Sequence, residues 1–382
     1  MDSQEGMMTT MTERRRMTRN KMYRYIYNSE KPVSKQQIAA ATRYSLPTVH
    51  QNIAELLEAD LIRPGEVQKS TGGRPAVGYT VNRNLRCSIV IAVTANHIRI
   101  LACDLLQNEI AYRRVNTLTT DSLGIGRQIA EELETFLTEN NLDRERVLGV
   151  GITVPGVIDR KRDRIIFSPT LKMKNISLKD IRDAISYPIF IENDSTSAGA
   201  AEWLGLSPEE RDKDFVYLFL ENGIGGAIYI DGKQYVGTNR RSAEFGHICI
   251  VPDGRSCNCG QQGCLESYCS ALRFTRDLGI TAEEFFDGLE KGNAEYAELW
   301  EDVLWHLSLG INNLRMAFDC DVILGGFVSQ YLGPYMNRLK QLTLERSPFD
   351  KNADYIRLGK YPLRAGMMGV AWHFTEAFLD SI

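Results

Sequence analysis

The chain has 382 residues, 43% of them hydrophobic and 25% charged, with a formal net charge of −4. That length predicts two or three folded units, and that balance is the composition of a globular chain. No apolar run approaches the ~20 residues of a membrane span, and no apolar core follows Arg14-Arg15-Arg16 as a secretory signal would require. A cytoplasmic protein without membrane contact is expected.

Charge is unevenly spread. Residues 1–86 hold 14 Lys and Arg against 8 Asp and Glu, a balance of +6 that leaves −10 for the remainder. A basic head on an acidic body implies that only the head meets a polyanion.

In the head, Arg16 to about Asn28 reads as a helix with Met22, Tyr25 and Ile26 on one face. Pro32-Val33-Ser34 breaks it, and Ser34 can cap a short helix from Lys35 to Ala41. Ser45 is a second N-cap, with Pro47 in the first turn, where a missing amide donor does little harm. The helix that follows runs to about Ala59, with Val49, Ile53, Leu56 and Leu57 at core spacing. Helix, short helix, turn, helix is the helix-turn-helix plan, which places the start of the third helix in the DNA major groove. Thr48, His50, Gln51 and Asn52 would be exposed there to read bases or phosphates. Lys69-Ser70-Thr71-Gly72-Gly73-Arg74-Pro75-Ala76 then lies between apolar stretches, as the tip of a β-hairpin wing would. Gly72-Gly73 before Arg74-Pro75 gives a slim backbone with one cation, Arg74, which suits a narrow minor groove. A plain three-helix bundle with a flexible turn is the bland alternative.

From Cys87 the pattern becomes α/β. Strands are predicted over Ser88–Val93, Ile98–Leu105, Glu109–Asn116, Val147–Val154 and Pro188–Glu192, with a helix over Ile125–Leu137. Thr196–Trp203 reads as an Ala-rich helix, and Phe215–Leu220 with Ala227–Ile230 as a hairpin. Beyond the cysteines the pattern is mostly helical, apart from a strand over Asp321–Leu324, and Gly366–Leu379 is the final helix.

The densest signal is Cys257-Asn258-Cys259-Gly260-Gln261-Gln262-Gly263-Cys264-Leu265-Glu266, with Glu244-Phe245-Gly246-His247 upstream. Three soft thiolates and one imidazole make a tetrahedral Cys3His set, a structural zinc arrangement. In a chain without a signal peptide, such clustering favours metal over disulfides. Cys87, Cys103 and Cys320 read as buried thiols, and Cys249 and Cys269 flank the loop and are not expected as ligands. His306 and His373 read as packing residues, and His97 has no evident partner in the sequence.

Glu244-x-Gly246-His247 with Cys257-x-Cys259-Gly260-x-x-Gly263-Cys264-x-Glu266 resembles the signature of the ROK family of repressors and sugar kinases. Pro155-Gly156, Asn193-Asp194 and Leu324-Gly325-Gly326 fall in the family's order, and the head with Gly72-Gly73-Arg74-Pro75 resembles its repressor branch. The resemblance implies an α/β fold: an N-terminal winged helix-turn-helix over 14–84, then a two-lobed, actin-like (ribonuclease-H-like) sugar-kinase fold over 85–382. The lobes would be about 85–195 and 196–365, with a terminal helix at about 366–379. It also implies a structural Zn2+ on His247, Cys257, Cys259 and Cys264, and sugar hydroxyls bound by Asn193, Asp194, Glu244, His247 and Glu266. Carboxylates suit that work because each can accept from two vicinal hydroxyls.

Two stretches depart from a kinase. Family kinases carry Asp-x-Gly-Gly-Thr after the first strand, where this chain has Ala92-Val93-Thr94-Ala95-Asn96. The second phosphate turn, Gly-Thr-Gly-Ile-Gly in the family, is Glu221-Asn222-Gly223-Ile224-Gly225. A carboxylate near 4 Å from phosphate costs about 1–4 kcal/mol, so ATP should bind poorly. No catalytic residue is expected, and the chain reads as a sensor, not an enzyme. Its expected partners are operator DNA, a monosaccharide or derivative, and further copies of itself in a dimer or tetramer. Beneath the sugar, Thr170 and Met173 replace the family's usual Asn and Trp.

Overall fold

The computed structural model describes residues 11–67, 77–94, 97–116, 122–159, 162–168, 171–207 and 209–382. Three helices lead, α1 (Met11–Tyr27), α2 (Lys35–Thr42) and α3 (Leu46–Glu58). Strands β1 (Ile62–Val67) and β2 (Val77–Val81) pair antiparallel behind them. Ser34 and Ser45 are the caps: Ser34 Oγ accepts from Gln37 N, the Gln37 side chain accepts from Ser34 N, and Ser45 Oγ accepts from Thr48 N. Each cap satisfies amides that the first turn leaves without partners. Met22, Tyr23, Ile26, Ile38, Val49, Ile53 and Leu56 form the head's core. Tyr23 and Tyr27 point inward with Met22 and Ile26, whereas Tyr25 is only half-buried. The tip residues Lys69–Ala76, Arg74 among them, lie outside the described residues.

The first lobe is a five-stranded sheet of order β10-β6-β3-β4-β5. Its antiparallel part is β3 (Cys87–Val93), β4 (His97–Asp104) and β5 (Glu109–Asn116). Helix α4 (Ser122–Glu139) crosses to β6 (Val147–Val154), parallel to β3. A small antiparallel sheet intervenes, β7 (Val157–Asp159), β8 (Arg164–Ser168) and β9 (Met173–Ser177), which the sequence did not disclose. Short α5 (Lys179–Asp183) leads into β10 (Ile189–Asn193), parallel to β6.

Helix α6 (Asp194–Gly205) opens the second half. The hairpin β11 (Phe215–Leu220) and β12 (Ile224–Ile230) pairs with short β13 (Lys233–Gln234). After the cysteine loop come α7 (Glu266–Cys269), α8 (Ala282–Glu290) and α9 (Ala294–Phe318), then β14 (Asp321–Gly325). Helix α10 (Met336–Leu344), β15 (Ile356–Leu358) and α11 (Ala365–Ser381) close the chain. The second sheet has the order β13-β12-β11-β14-β15. Both sheets therefore end their parallel strands at one cleft, where open α/β sheets put ligands.

Helices α6 and α11 pack on each other between the sheets. Met367, Val370 and Ala371 of α11 cover Val90, Ala92, Leu101 and Cys103 of the first sheet. Ala198 of α6 packs on Phe215, Tyr217 and Ala227 of the second. Their approach needs glycine: a Cβ at Gly369 would lie 1.8 Å from Ser197 O. The far end of α11 belongs to the head, with Leu379 and Ile382 in its core. Arg24 of α1 donates to Glu376 (3.0 Å) and Asp380 (2.6 Å), and Arg19 donates to the Ile382 main-chain oxygen at 2.9 and 3.1 Å. One helix thus touches both the cleft-forming elements and the head.

Candidate functional site

The cysteine loop folds on its glycines: Gly260 and Gly263 hold φ of 88° and 79°, and the Gly263 amide donates to Arg255 O at 2.8 Å. A side chain at 263 would drive a Cβ to 1.9 Å from Val251 O. The turn brings His247, Cys257, Cys259 and Cys264 together, their ligand atoms all within 4.8 Å of one another. Cys259 Sγ and Cys264 Sγ are 3.7 Å apart, as are Cys257 Sγ and His247 Nδ1. A tetrahedral ion with Zn–S near 2.3 Å sets its sulfurs about 3.8 Å apart, so these residues fit zinc. Burial pushes the Cys264 and Cys257 thiols up; a bound cation reverses that trend and holds thiolates. Among the described residues no other His, Cys, Asp or Glu group has this geometry.

Three carboxylates face the cleft beside this loop. Glu244 precedes Phe245-Gly246-His247; its main-chain oxygen accepts from His247 N at 3.0 Å, and its side chain makes no cap hydrogen bond. Burial raises its carboxyl, His247 lowers it, and the charges of Asp194 and Glu266 raise it further. That mutual repulsion marks convergence on one space. Glu266 Oε2 accepts from Ile224 N at 2.8 Å, which leaves its other oxygen open. Asp194 begins α6, and burial likewise raises its carboxyl, with Arg99 pulling it down. Asp194 does not cap its helix. The cap is Asn193, whose Oδ1 accepts from Thr196 N (2.9 Å) and Ser195 Oγ (2.7 Å), while its Nδ2 donates to Gly156 O (2.9 Å). Asn193 therefore keeps one amide proton for a ligand and no free acceptor pair of consequence. His247 directs Nδ1 at the sulfurs, so Nε2 is available on the other side.

Two cleft residues had no signal in the sequence. Arg240 lines the pocket with Gly156, Asn193, Gln234 and Glu244, its Nη2 3.8 Å from Glu192 Oε2. Arg99 stands on β4 opposite Ala92, and its charge reaches both Asp194 and Glu221. A lone arginine carries no spacing motif; strand register places Arg99, and the path of the chain after β13 places Arg240.

Where a kinase needs a phosphate loop, β3 turns tightly into β4: Thr94 N donates to His97 O (2.9 Å), and His97 N to Thr94 Oγ1 (3.0 Å). Arg114 Nη2 lies 2.9 Å from His97 Nε2, so His97 does have a partner. Residues 95–96 and the sugar-side Thr170 lie outside the described residues, and Met173 is buried.

In the head, His50 and Gln51 are exposed on α3 and Thr48 is half-buried. Asn52 is not exposed. It is 4% accessible, with Nδ2 donating to Thr48 O at 2.9 Å. It follows Val49 by three residues and precedes Leu56 by four, so helical periodicity turns it inward. Buried and bonded within its own helix, Asn52 does not present its side chain to DNA, contrary to the expectation from its residue type.

The ROK family profile matches residues 88–377. The xylose repressor of Bacillus spizizenii is 26% identical over 300 residues, 77% of each chain. A glucokinase of Halalkalibacterium halodurans is 26% identical over 274 residues, 65% of this chain and 82% of that one. The crystal structure of a ROK family transcriptional regulator, a homologue of the Escherichia coli Mlc protein, superposes with a TM-score of 0.73 at 21% identity, covering 96% of this chain and 97% of that one.

Proposed function

The chain belongs to the ROK family, and on that premise we propose that it is a sugar-responsive transcriptional repressor. The head binds an operator through α3 and the wing, with Thr48, His50, Gln51 and Arg74 as the contacts. The body takes a monosaccharide or derivative on Asp194, Glu244, His247 and Glu266, with Asn193 donating its remaining amide proton. Acceptor-rich carboxylates around a pocket suit a polyhydroxyl ligand. Zinc on His247, Cys257, Cys259 and Cys264 would supply a rigid loop and no chemistry. It would hold the segment that carries Glu244 and Glu266.

The observation that carries this reading is α11. Its first turns pack against α6, which begins at Asp194: Ser197 Oγ donates to Gly366 O at 2.6 Å. Its last turn is bonded to α1 of the head. A ligand that draws the lobes together shifts that helix pair, and a ligand acts only through its different affinity for the two placements. The operator-bound form is a dimer or larger assembly, as half-site reading requires.

The Halalkalibacterium halodurans relative is named a glucokinase, which keeps a second reading on the table: a sugar kinase with a DNA-binding head. Glu221 and the Ala92–Thr94 segment weigh against it. The test is a DNA-shift titration on the chain's own upstream region with a panel of hexoses, pentoses and their derivatives. One sugar should move the midpoint by about tenfold, corresponding to a coupling of ~1.4 kcal/mol. No movement with any sugar, together with no heat in calorimetry, overturns the sugar reading. Phosphorylation of a sugar by the purified chain with ATP would establish the kinase reading.

A further inference from the structure

The turn joining β11 to β12 is closed by Glu221 N donating to Gly223 O at 3.0 Å. Its main chain is tied down on the other side, where Ala271 N donates to Glu221 O at 2.9 Å. The Glu221 side chain reaches across to the glycine turn after β14, and its Oε1 accepts from Phe327 N at 3.0 Å. Gly326 there has φ of 81°, and a Cβ would lie 2.4 Å from Leu220 O, so the two turns are in contact. The charge of Arg99 on β4 lowers the carboxyls of both Glu221 and Asp194. Arg99 Nε is buried and has no hydrogen-bond partner among the described residues. A backbone amide between two glycine-bearing turns, opposite an arginine, is where an anion would be held. Here the chain's own carboxylate is on it.

We infer that Glu221 is a specificity-determining residue: its carboxylate occupies the amide of Phe327 opposite Arg99 and thereby excludes phosphate-bearing ligands from the nucleotide half of the cleft. This goes further than repulsion. A glutamine at 221 would lose the charge and still occupy the amide through its side-chain carbonyl. A glycine would leave the amide open and lose the charge as well. The inference rests on the non-kinase reading above, but its test does not depend on which sugar, if any, the protein senses.

The experiment is isothermal calorimetry of the full-length, zinc-containing protein with inorganic pyrophosphate, for the parent chain, Glu221→Gly, Glu221→Gln and Glu221→Gly/Arg99→Gln. Zinc content and operator binding of each variant report that it is folded. Glu221→Gly should bind pyrophosphate at least about tenfold more tightly than the parent, since one charge-assisted hydrogen bond and a counter-charge become available. Glu221→Gln should stay near the parent, and adding Arg99→Gln should erase the gain. A folded Glu221→Gly variant with no gain overturns the inference. So does a Glu221→Gln variant that gains as much as Glu221→Gly, because charge alone would then be the cause. Loss of sugar response without these changes would bear on the repressor reading alone.

Discussion

Two glutamates at the same turn do the same thing with opposite results. Glu266 accepts the amide of Ile224 at 2.8 Å, and Glu221 accepts the amide of Phe327 at 3.0 Å. Glu266 is thereby aimed: one oxygen is fixed, and the other faces a pocket that Glu244 and Asp194 also face. Glu221 is used up: its carboxylate lies at the cleft floor among Phe327, Arg99 and Asp194, with burial raising its carboxyl to about 7. A carboxylate on a backbone amide can thus build a binding site or close one. What separates them is their neighbours: Glu266 stands beside the carboxyl of Glu244, whereas Glu221 stands with Arg99 and Asp194. The half of the cleft proposed to read hydroxyls and the half that a kinase gives to phosphate differ in that respect.

The sharpest way to break the comparison is to take away what holds the first half. Cys259→Ser should abolish stoichiometric zinc, and a structural zinc is typically worth ~10–16 kcal/mol of loop folding. Sugar response should vanish with it, while α1–α3 keep their own core and the isolated head signal in circular dichroism. Zinc content by plasma emission and a sugar titration check this; a variant that responds normally without zinc separates the metal from the site. Next in size is Glu244→Ala. Its side chain caps no helix and its main-chain bond to His247 N survives truncation, so the loss removes two acceptors with little effect on the fold. With charge-assisted bonds worth about 1.5–3 kcal/mol each, sugar affinity should fall by two orders of magnitude or more, and operator affinity should hold. An unchanged sugar isotherm would remove Glu244 from the site.

How far such differences can be read from sequence depends on whether the signal is local. Glu109–Asn116, Val147–Val154 and Phe215–Leu220 are strands at the very residues predicted, the last two because apolar runs there end at polar or glycine turns. The serine caps of α2 and α3 are equally local. The sheet β7-β8-β9 was hidden because its strands are three to five residues long, half-exposed and irregular in register. The clustering of His247, Cys257, Cys259 and Cys264 was legible because their spacing is the signal. Arg99 was not, since its place opposite Ala92 comes from strand pairing, and Glu221 gave away its charge but not its hydrogen bond. Asn52 misled because residue type suggested base reading while position in the helix dictated burial.

A smaller effect probes whether the cleft reaches the head through α11. Arg24 is bonded to both Glu376 and Asp380, but all three side chains are partly exposed, so the network contributes only about 1 kcal/mol. Arg24→Ala should therefore leave zinc, sugar affinity and folding nearly intact. The shift in operator affinity on adding sugar should shrink by a few-fold, read as the ratio of midpoints with and without ligand. An undiminished ratio would move the coupling route elsewhere.

The pH dependence of the closed half probes the other glutamate, and it has a definite sign. Glu221 titrates near 7 in the folded chain because burial disfavours its charge, with the Phe327 amide and Arg99 only partly compensating and Asp194 adding to the rise. An unfolded glutamate titrates near 4.3. The folded state therefore holds a proton that the unfolded state has released, and between about pH 4.5 and 7 stability declines as pH rises. Glu221→Gln removes that titration and keeps the acceptor. Melting temperatures of parent and variant should converge or favour the parent near pH 5, and favour the variant near pH 8. Parallel curves across this range would mean that Glu221 is better solvated than its place at the cleft floor implies. The two glutamates would then differ less than their surroundings suggest.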